Sequence, residues 1–368
     1  MSRLAASDSV LADGTTKSGA GLRPAITPVG DWRHLAALFS RERLHPGVTA
    51  WSESRQAQAR GPWAVAFSGG ADSLALLLLL FAHWPERHGR LVALHFNHRL
   101  RGAAADADER FCRRVCSALG VRLNVGRWRR RRVGASEEDA RDARFAFFER
   151  AMRRTGARAL WLGHQQDDIA ETMLMRLARG SGTGGLAAPR PVQRVGDQFR
   201  LRPLLTLKKR DVVAALRECG IRWREDRTNA GAAYFRNRIR NQVLPAWQKA
   251  AGRDAVAGAA LARERLEEDD AALDAWLGEL RPWGRGRTLN LAVLKDRPRA
   301  LARRALHRWL SALPLAGDLS RQGFEDLLTA VMTGSNTRRS LGRDGFAVIR
   351  GGRMKFARKT AGGKRHRK

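Results

Sequence analysis

Ser68-Gly69-Gly70-Ala71-Asp72-Ser73 is the stretch of this chain whose residue types and spacing most directly imply chemistry. An apolar run, Trp63 to Phe67, precedes it, and a Leu-rich run, Leu74 to Phe81, follows. The first run has the length of a buried strand. The second, lacking β-branched residues, reads as a helix, so the six residues between them form a strand-to-helix turn. Paired glycines admit positive φ and close ligand approach, while the unpaired N–H groups and the dipole of the new helix favour an anion, phosphate above all. The Lys-Ser/Thr ending of a Walker A loop is missing, and Asp72 stands where a lysine would neutralise phosphate. A carboxylate beside a polyphosphate calls for a divalent cation between them, which points Asp72 at Mg²⁺.

Four further clusters carry polar chemistry. His95-Phe96-Asn97-His98-Arg99-Leu100-Arg101 follows a strand pattern and lacks the spacing of a zinc site, so it reads as the wall of a nucleotide pocket. His164-Gln165-Gln166-Asp167-Asp168-Ile169-Ala170-Glu171 opens a helix; Asp168 and Glu171 share a face and suit either helix capping or a cationic subsite for an amine or Mg²⁺. Arg179-Gly180-Ser181-Gly182-Thr183-Gly184-Gly185 formally contains G-x-G-x-x-G, but it follows a helix and is expected to be a flexible loop able to close over substrate. Trp223-Arg224-Glu225-Asp226-Arg227 leads to Arg236, Arg238 and Arg240, which should fan around a helix, some pairing with Glu225 or Asp226 and others meeting phosphates.

The elements that must position these groups follow a strand–helix alternation from Pro62 onward. Strands are expected at Trp63–Phe67, Leu91–Phe96, Arg122–Val125 and Ala159–Leu162, with helices starting near Asp72, Ala105 and Glu137, which specifies βαβ units around a parallel sheet. Residues 1–60, rich in Ala, Ser, Gly and Arg, read as a partly disordered extension with one short helix near Trp32 to Phe39; 61–245 read as one α/β domain built around the phosphate loop. Residues 246–368 read as a basic RNA-binding region: one long helix after Pro245, two amphipathic helices near Ala300 to Leu313 and Arg321 to Met332, and a hairpin over Arg338 to Phe356. Lys and Arg number 69 against 36 acidic residues, a net charge of +33, which makes a polyanion such as nucleic acid the default partner. Three cysteines make no disulfide framework, no secretory leader is evident, and the longest apolar run, Leu74 to Ala82, is too short to cross a bilayer. A soluble cytoplasmic protein with no membrane partner is expected, and homodimerisation stays open.

The phosphate loop resembles that of the ATP-pyrophosphatase superfamily, whose members split ATP into AMP and pyrophosphate to activate a carbonyl oxygen. FSGGADSLAL, LHFNHRLRG, EEDARDARFAFFERA, LGHQQDDIAETMLMRLARGSGTGGLAA, LRPLL and WREDRTNAGAAYFRNRIRNQVLPAW, spread in order from Ala64 to Trp247, are together similar to the tRNA(Ile)-lysidine synthetases. That resemblance implies an α/β fold: a parallel-sheet, adenine nucleotide α-hydrolase-like PP-loop domain, followed here by a mainly α-helical C-terminal region with a short β hairpin. It implies a ligase that adenylates C2 of the wobble cytidine (position 34) of a CAU-anticodon tRNA(Ile) with ATP, after which the ε-amine of free L-lysine displaces AMP. By similarity Ser68, Gly69, Gly70, Ala71, Asp72 and Ser73 hold ATP and Asp72 handles Mg²⁺. Asp168 and Glu171 lie near the lysine amines, Arg144 (or Arg141) and Arg179 near the α-phosphate or the lysine carboxylate, and Arg236, Arg238 and Arg240 meet the tRNA. Gln165-Gln166 stands where many relatives have a second histidine. Two other readings share features of the chain: a tRNA 2-thiolation enzyme, which needs reactive cysteines that the helically spaced Cys112 and Cys116 do not suggest, and a non-catalytic RNA-binding protein.

Overall fold

The computed structural model describes residues 29–58, 61–99, 102–128, 136–225, 234–314 and 319–359. The basic run 129–132, Arg101, the turn residues 226–229 and the basic tail 364–368 lie outside the described residues.

Strand β1 (Trp63–Ala66) is the centre of a six-stranded sheet because both of its faces are buried, and both its edges are paired, in parallel with β2 (Leu91–Asn97) and β4 (Ala159–Trp161). The order is β3-β2-β1-β4-β6-β5, with β3 (Arg122–Arg127), β5 (Val192–Val195) and β6 (Gln198–Leu201) completing it; only β5 runs antiparallel to its neighbour. The chain leaves β1 towards β2 on one side and returns to β4 on the other. The carboxyl ends of β1 and β4 therefore flank a topological switch point, where open α/β sheets form a crevice. The α/β expectation holds, while the β5–β6 hairpin was not foreseen. Its residues alternate with arginines and glutamines, so no apolar run marks them.

Helices cover both faces of the sheet. α4 (Ala71–His83) buries Leu74 to Leu80 at no more than 1% exposure each, hydrophobic all round because the sheet lies on one side and other helices on the other. Those outer helices include α1 (Trp32–Leu38), with α2 (Pro46–Glu53) and α3 (Arg55–Gln58) following it. Residues 29–58 are thus not a disordered extension. Leu35, Phe39, Leu44 and Val48 are at most 2% exposed and share one core with Trp63 and Trp161, and the Trp51 ring sits 6.2 Å from that of Trp161. Each of these helices has only seven or eight residues or fewer, too few turns for apolar periodicity to stand out among Ala and Arg. α5 (Ala103–Leu119), α6 (Glu137–Thr155), α7 (Gln166–Leu177), α8 (Thr183–Leu186) and α9 (Lys209–Glu218) complete this half.

Beyond it come α10 (Phe235–Arg238), a π-helical turn (Ile239–Val243), α11 (Leu244–Ala251), α12 (Ala255–Leu280), α13 (Arg299–Ser311) and α14 (Arg321–Thr333). The single long helix expected after Pro245 is two, since Gly252 ends α11 in the left-handed region and the Asp254 side chain caps α12 by accepting from Ala257 N–H. The expected hairpin is part of a five-stranded antiparallel sheet ordered β7-β8-β11-β10-β9: β7 (Trp283–Gly284), β8 (Thr288–Asn290), β9 (Thr337–Ser340), β10 (Gly345–Arg350) and β11 (Arg353–Arg358). One face of that sheet packs Ala347, Ile349 and Met354 against Leu301, Leu306 and Leu328 in a second core. Among the described residues no helix is long and apolar enough to cross a membrane.

Because Leu35 is fully buried beside α4, Leu35→Ala is expected to destabilise the protein by about 2–5 kcal/mol, with an unchanged denaturant slope. Urea unfolding that shifts by less than about 0.5 kcal/mol would return the segment to the status of an appendage.

Candidate active site

The loop after β1 is shaped by two close approaches. Gly69 has φ +88°, and a Cβ there would lie 3.2 Å from both Cys112 Sγ and the Phe111 ring. Gly163, at the end of β4, lets the neighbouring segment approach until a Cβ would stand 2.9 Å from the Asp72 carbonyl oxygen. Ser73 braces the turn from within: its hydroxyl donates to Gly70 O (3.0 Å) and accepts from Ser68 N–H (3.2 Å), with Ser68 Oγ 3.0 Å away. The first helical bond of α4 runs from Leu74 N–H to Gly70 O at 2.9 Å, which leaves the N–H groups of Ala71, Asp72 and Ser73 without helical acceptors at the positive end of the dipole. The turn opens into a cleft of about 920 Å³ lined by Ser68, Gly70, Ala71, Asp72 and Ser73, together with His95, Arg144, His164, Asp168 and Arg236. Gly69 supports the loop from behind and does not line the cleft.

Asp72 is the site's unsatisfied charge. Its Oδ1 is shielded from solvent and has no hydrogen-bond partner among the described residues. Burial, then the nearby Asp168 carboxylate, pushes its carboxyl up to about 7 against the partial relief given by Lys209 and Arg240. A divalent cation held at Asp72 would offset both its burial and its repulsion from Asp168, so this carboxylate suits Mg²⁺, which takes one or two carboxylates and completes its shell with substrate and water. Among the described residues no cluster of three His, Cys, Asp or Glu side chains offers a cation a complete protein cage.

Asp168 and Glu171 come together as their spacing predicts, yet with partners the sequence did not suggest. Asp168 Oδ2 accepts from Gln165 N–H at 2.9 Å while the Gln165 side chain accepts from Asp167 N–H at 2.6 Å, a capping arrangement that fixes α7 at the end of β4. The other carboxylate oxygens accept from arginines. Arg236 donates to Asp168 Oδ1 (2.6 Å) and Glu171 Oε2 (2.8 Å), and Arg240 donates to Glu171 Oε1 (2.5 Å) and Oε2 (2.9 Å). Asp168 and Glu171 are 8% and 1% exposed, so these are buried, charge-assisted bonds. Arg236 and Arg240 therefore meet protein carboxylates rather than phosphates, and not those of Glu225, because four-residue spacing through the π-helical turn puts both on the side facing α7. Arg238 lies on the exposed side, over the Phe235 ring at 5.7 Å.

Arg141 and Arg144 of α6 line the cleft, as does His164. Arg202, to which the sequence assigned no role beyond its place in LRPLL, is 5% exposed; it donates to His164 Nδ1 (3.2 Å), Arg190 O (2.6 Å) and Gln193 Oε1 (3.0 Å). Burial, then Arg202 and Arg236, holds the imidazole well below its ordinary pKa. His164 is therefore neutral, with its proton on Nε2. His95 is 4% exposed and is a strut of the wall, with Nδ1 3.0 Å from Phe67 O and 3.4 Å from Cys112 Sγ. Asn97 ties the end of β2 to α5 by donating to Asp106 (3.1 Å) and Glu109 (3.2 Å). Lys209, which sequence reading passed over, also lines the cleft. Glu171 lies beneath the lining, and Arg179 is exposed outside it. The expected flexible loop is short helix α8, tied down by Arg176 donating to Gly185 O and by Thr183 donating to Asp270 (3.4 Å).

The PP-loop domain family matches residues 48–247. The tRNA(Ile)-lysidine synthase of Geobacter sulfurreducens is 37% identical over 278 residues, 71% of this chain and 56% of that protein. The enzyme of the same name from Chlorobaculum tepidum is 42% identical over 186 residues, 49% of this chain and 55% of the relative. The chain thus spans about half the length of the curated relatives it matches. Among solved structures, a U34-tRNA thiolase from Methanococcus maripaludis aligns with TM-score 0.48 at 16% identity, covering 65% of this chain and 78% of the other.

Removing one carboxylate should expose the strength of the charge cluster. Glu171→Gln leaves two guanidinium groups sharing Asp168 and is expected to destabilise by about 3–5 kcal/mol, whereas Glu171→Gln/Arg240→Gln should cost less than the sum of its parts in a thermodynamic cycle; additive losses would contradict the coupling. Glu109 supplies a pH test. Burial opposes its charge, but hydrogen bonds from Arg127, Arg113 and Asn97 prevail and hold its carboxyl at about 2, below the ordinary value of 4.5. A depressed carboxylate stabilises the fold fully above the unfolded value and loses that contribution as pH falls from about 4.5 towards 2. Glu109→Gln should flatten the acid limb of the stability curve in that window, and an unchanged limb would refute it.

Proposed function

We propose that this chain, which belongs to the PP-loop domain family, is a tRNA(Ile)-lysidine synthetase, acting in the cytoplasm on a CAU-anticodon tRNA with ATP and free lysine. The observation that carries the reading is the pairing of a helix-start anion site with the buried, unpartnered carboxylate oxygen of Asp72 in one cleft. That pairing suits a triphosphate with its cation, and relatives of the same name support the rest.

In the first step the C2 oxygen of the wobble cytidine attacks the α-phosphorus of ATP and pyrophosphate leaves. The N–H groups of Ala71, Asp72 and Ser73 hold the departing phosphates, and Arg144 and Arg141, which line the same cleft, offset charge at the α-phosphoryl group. Mg²⁺, when held by Asp72, would supply charge neutralisation for the pyrophosphate. In the second step the lysine ε-nitrogen bonds to C2, the C2–O bond to AMP breaks, and the nitrogen gives up a proton. His164 does not take that proton in this arrangement, because its Nδ1 lone pair is engaged by Arg202 and its Nε2 already carries hydrogen.

Lysine recognition at Asp168 and Glu171 requires an exchange. The two carboxylates are balanced by Arg236 and Arg240, so an incoming ammonium must take over bonds that Arg240 now makes, while a guanidinium set free can receive the lysine carboxylate. Of the three arginines first assigned to tRNA, Arg238 alone retains that role here.

Cys112 and Cys116 speak against sulfur transfer. They are 0% and 2% exposed, and burial pushes both thiols far from the reactive thiolate form.

Incubation with ATP, Mg²⁺, lysine and unmodified tRNA, followed by nucleoside digestion and mass spectrometry, should give a cytidine heavier by lysine less water, with AMP and pyrophosphate released in equal amounts. Formation of ADP and orthophosphate, or an unmodified nucleoside, would sink the reading. Asp168→Asn should raise KM for lysine about tenfold or more, and abolition of tRNA binding instead would count against that assignment.

A further inference from the structure

Among the described residues no helix is seen over the outer face of the C-terminal sheet, whose composition is one-sided. Residues 337–359 contain eight Lys or Arg and one acidic residue. Strand alternation sends Ala347, Ile349 and Met354 into the second core and leaves Arg338, Phe346, Arg350, Arg353 and Lys355 on the opposite side. Register makes these residues neighbours. Arg350 lies directly across from Arg353, Lys355 is two residues further along β11, and Val348, between Arg338 and Lys355, brings β9 and β11 to the same level. Like charges facing each other across strands are destabilising, and among the described residues no carboxylate pairs with Arg350, Arg353 or Lys355 to relieve them. Elsewhere in this region arginines do have acidic partners: Arg299 meets Glu325, and Arg308 meets Asp274.

We infer that this sheet face is a docking surface for the phosphodiester backbone of RNA, reading charge and shape rather than base sequence. Charge complementarity selects a polyanion, and the spacing refines it. Arg350 and Arg353 stand about 5 Å apart across the strands, and Arg353 and Lys355 about 7 Å apart along one, a row able to follow successive phosphates. Bases are not what it reads. The outward ring, Phe346, already has the Arg338 guanidinium over it at 3.8 Å, in the place a stacked base would take. The inference rests on the RNA-substrate reading and adds the face and the residues.

The test is the salt dependence of tRNA binding by the full chain, measured by fluorescence anisotropy for Arg350→Gln/Arg353→Gln/Lys355→Gln. Each lost phosphate contact lowers the slope of log K against log salt by about 0.9 on a duplex, so the triple variant should lose two to three units of slope and bind tRNA about tenfold or more weakly near 0.1 M salt. ATP binding should be unchanged, which also verifies folding, and Arg350→Lys/Arg353→Lys should retain the slope. Arg122→Gln/Arg153→Gln/Arg154→Gln removes as many exposed charges from the amino ends of the parallel sheet, away from the cleft, and should leave the slope intact. Equal slopes for the two triple variants would overturn the inference. So would a sheet variant that keeps tRNA but loses binding to phosphatidylserine vesicles. If wild type binds tRNA and the sheet triple loses slope, yet no lysidine forms, the catalytic reading falls while this surface stands.

Discussion

Negative charge removed from water organises this molecule. Asp168, Glu171 and Asp270 are each at most 8% exposed in a chain of net charge +33. An isolated carboxylate so placed is costly, so each must recruit guanidinium groups, and the recruited arginines dictate where their elements lie. Arg236 and Arg240 hold α10 and the π-helical turn against α7 for this reason. Buried ion pairs of this kind are weak evidence of added stability, but breaking one strands its partner, and the arrangement is correspondingly specific. Asp72 is the exception: it sits in the same field, and its Oδ1 has no partner among the described residues. Stability alone would have selected a paired or neutral group there, which is why the proposed reading has a ligand's cation complete the residue.

The contrast between Asp72 and its neighbours also explains how the cleft stays both basic and selective. Arg144, Arg141 and Lys209 create a field that gathers phosphate, while the acidic pair beneath is neutralised by its own arginines and does not cancel that field. An ammonium can enter only by competing for bonds already made. Under the proposed reading the site discriminates by geometry as much as by charge, since a ligand carrying both an ammonium and a carboxylate must place each end in an exchange of hydrogen bonds.

Much of the catalytic half was legible in the sequence because its signals are local. The Gly-Gly turn, the capping box at Gln165 and the apolar strands each specify their own conformation within a few residues, and β1 to β4 lie where the alternation put them. What was not legible depends on contacts far apart in sequence. Nothing local in Arg236 says that its partners lie 68 and 65 residues away. Arg202 orients His164 across 38 residues, and the helices of 29–58 are defined by the core they join rather than by their own periodicity. The β-rich C-terminal sheet was underestimated for a related reason: β7 and β8 have two and three residues, and only pairing with β11 makes strands of them.

Helix α12 joins the two halves, and its residues indicate how firmly. Val256 and Ala259 near its start pack with Ala170 and Met173 of α7, the helix that carries Asp168 and Glu171, while Leu277 near its end belongs to the second core beneath the antiparallel sheet. Between them Asp270 accepts from Thr183 at the start of α8, from Arg190 before β5 and from Arg304 of α13. One buried carboxylate thus fastens the catalytic half and the C-terminal half to the same point. A helix of 26 residues spans about 39 Å, so a backbone contact on the outer sheet and the reacting groups in the cleft stand at opposite ends of one continuous element. Under the proposed reading, fixing RNA at the far end would limit where its reactive loop can reach at the near one, giving sequence-independent phosphate contacts a part in choosing the nucleotide presented to Asp72.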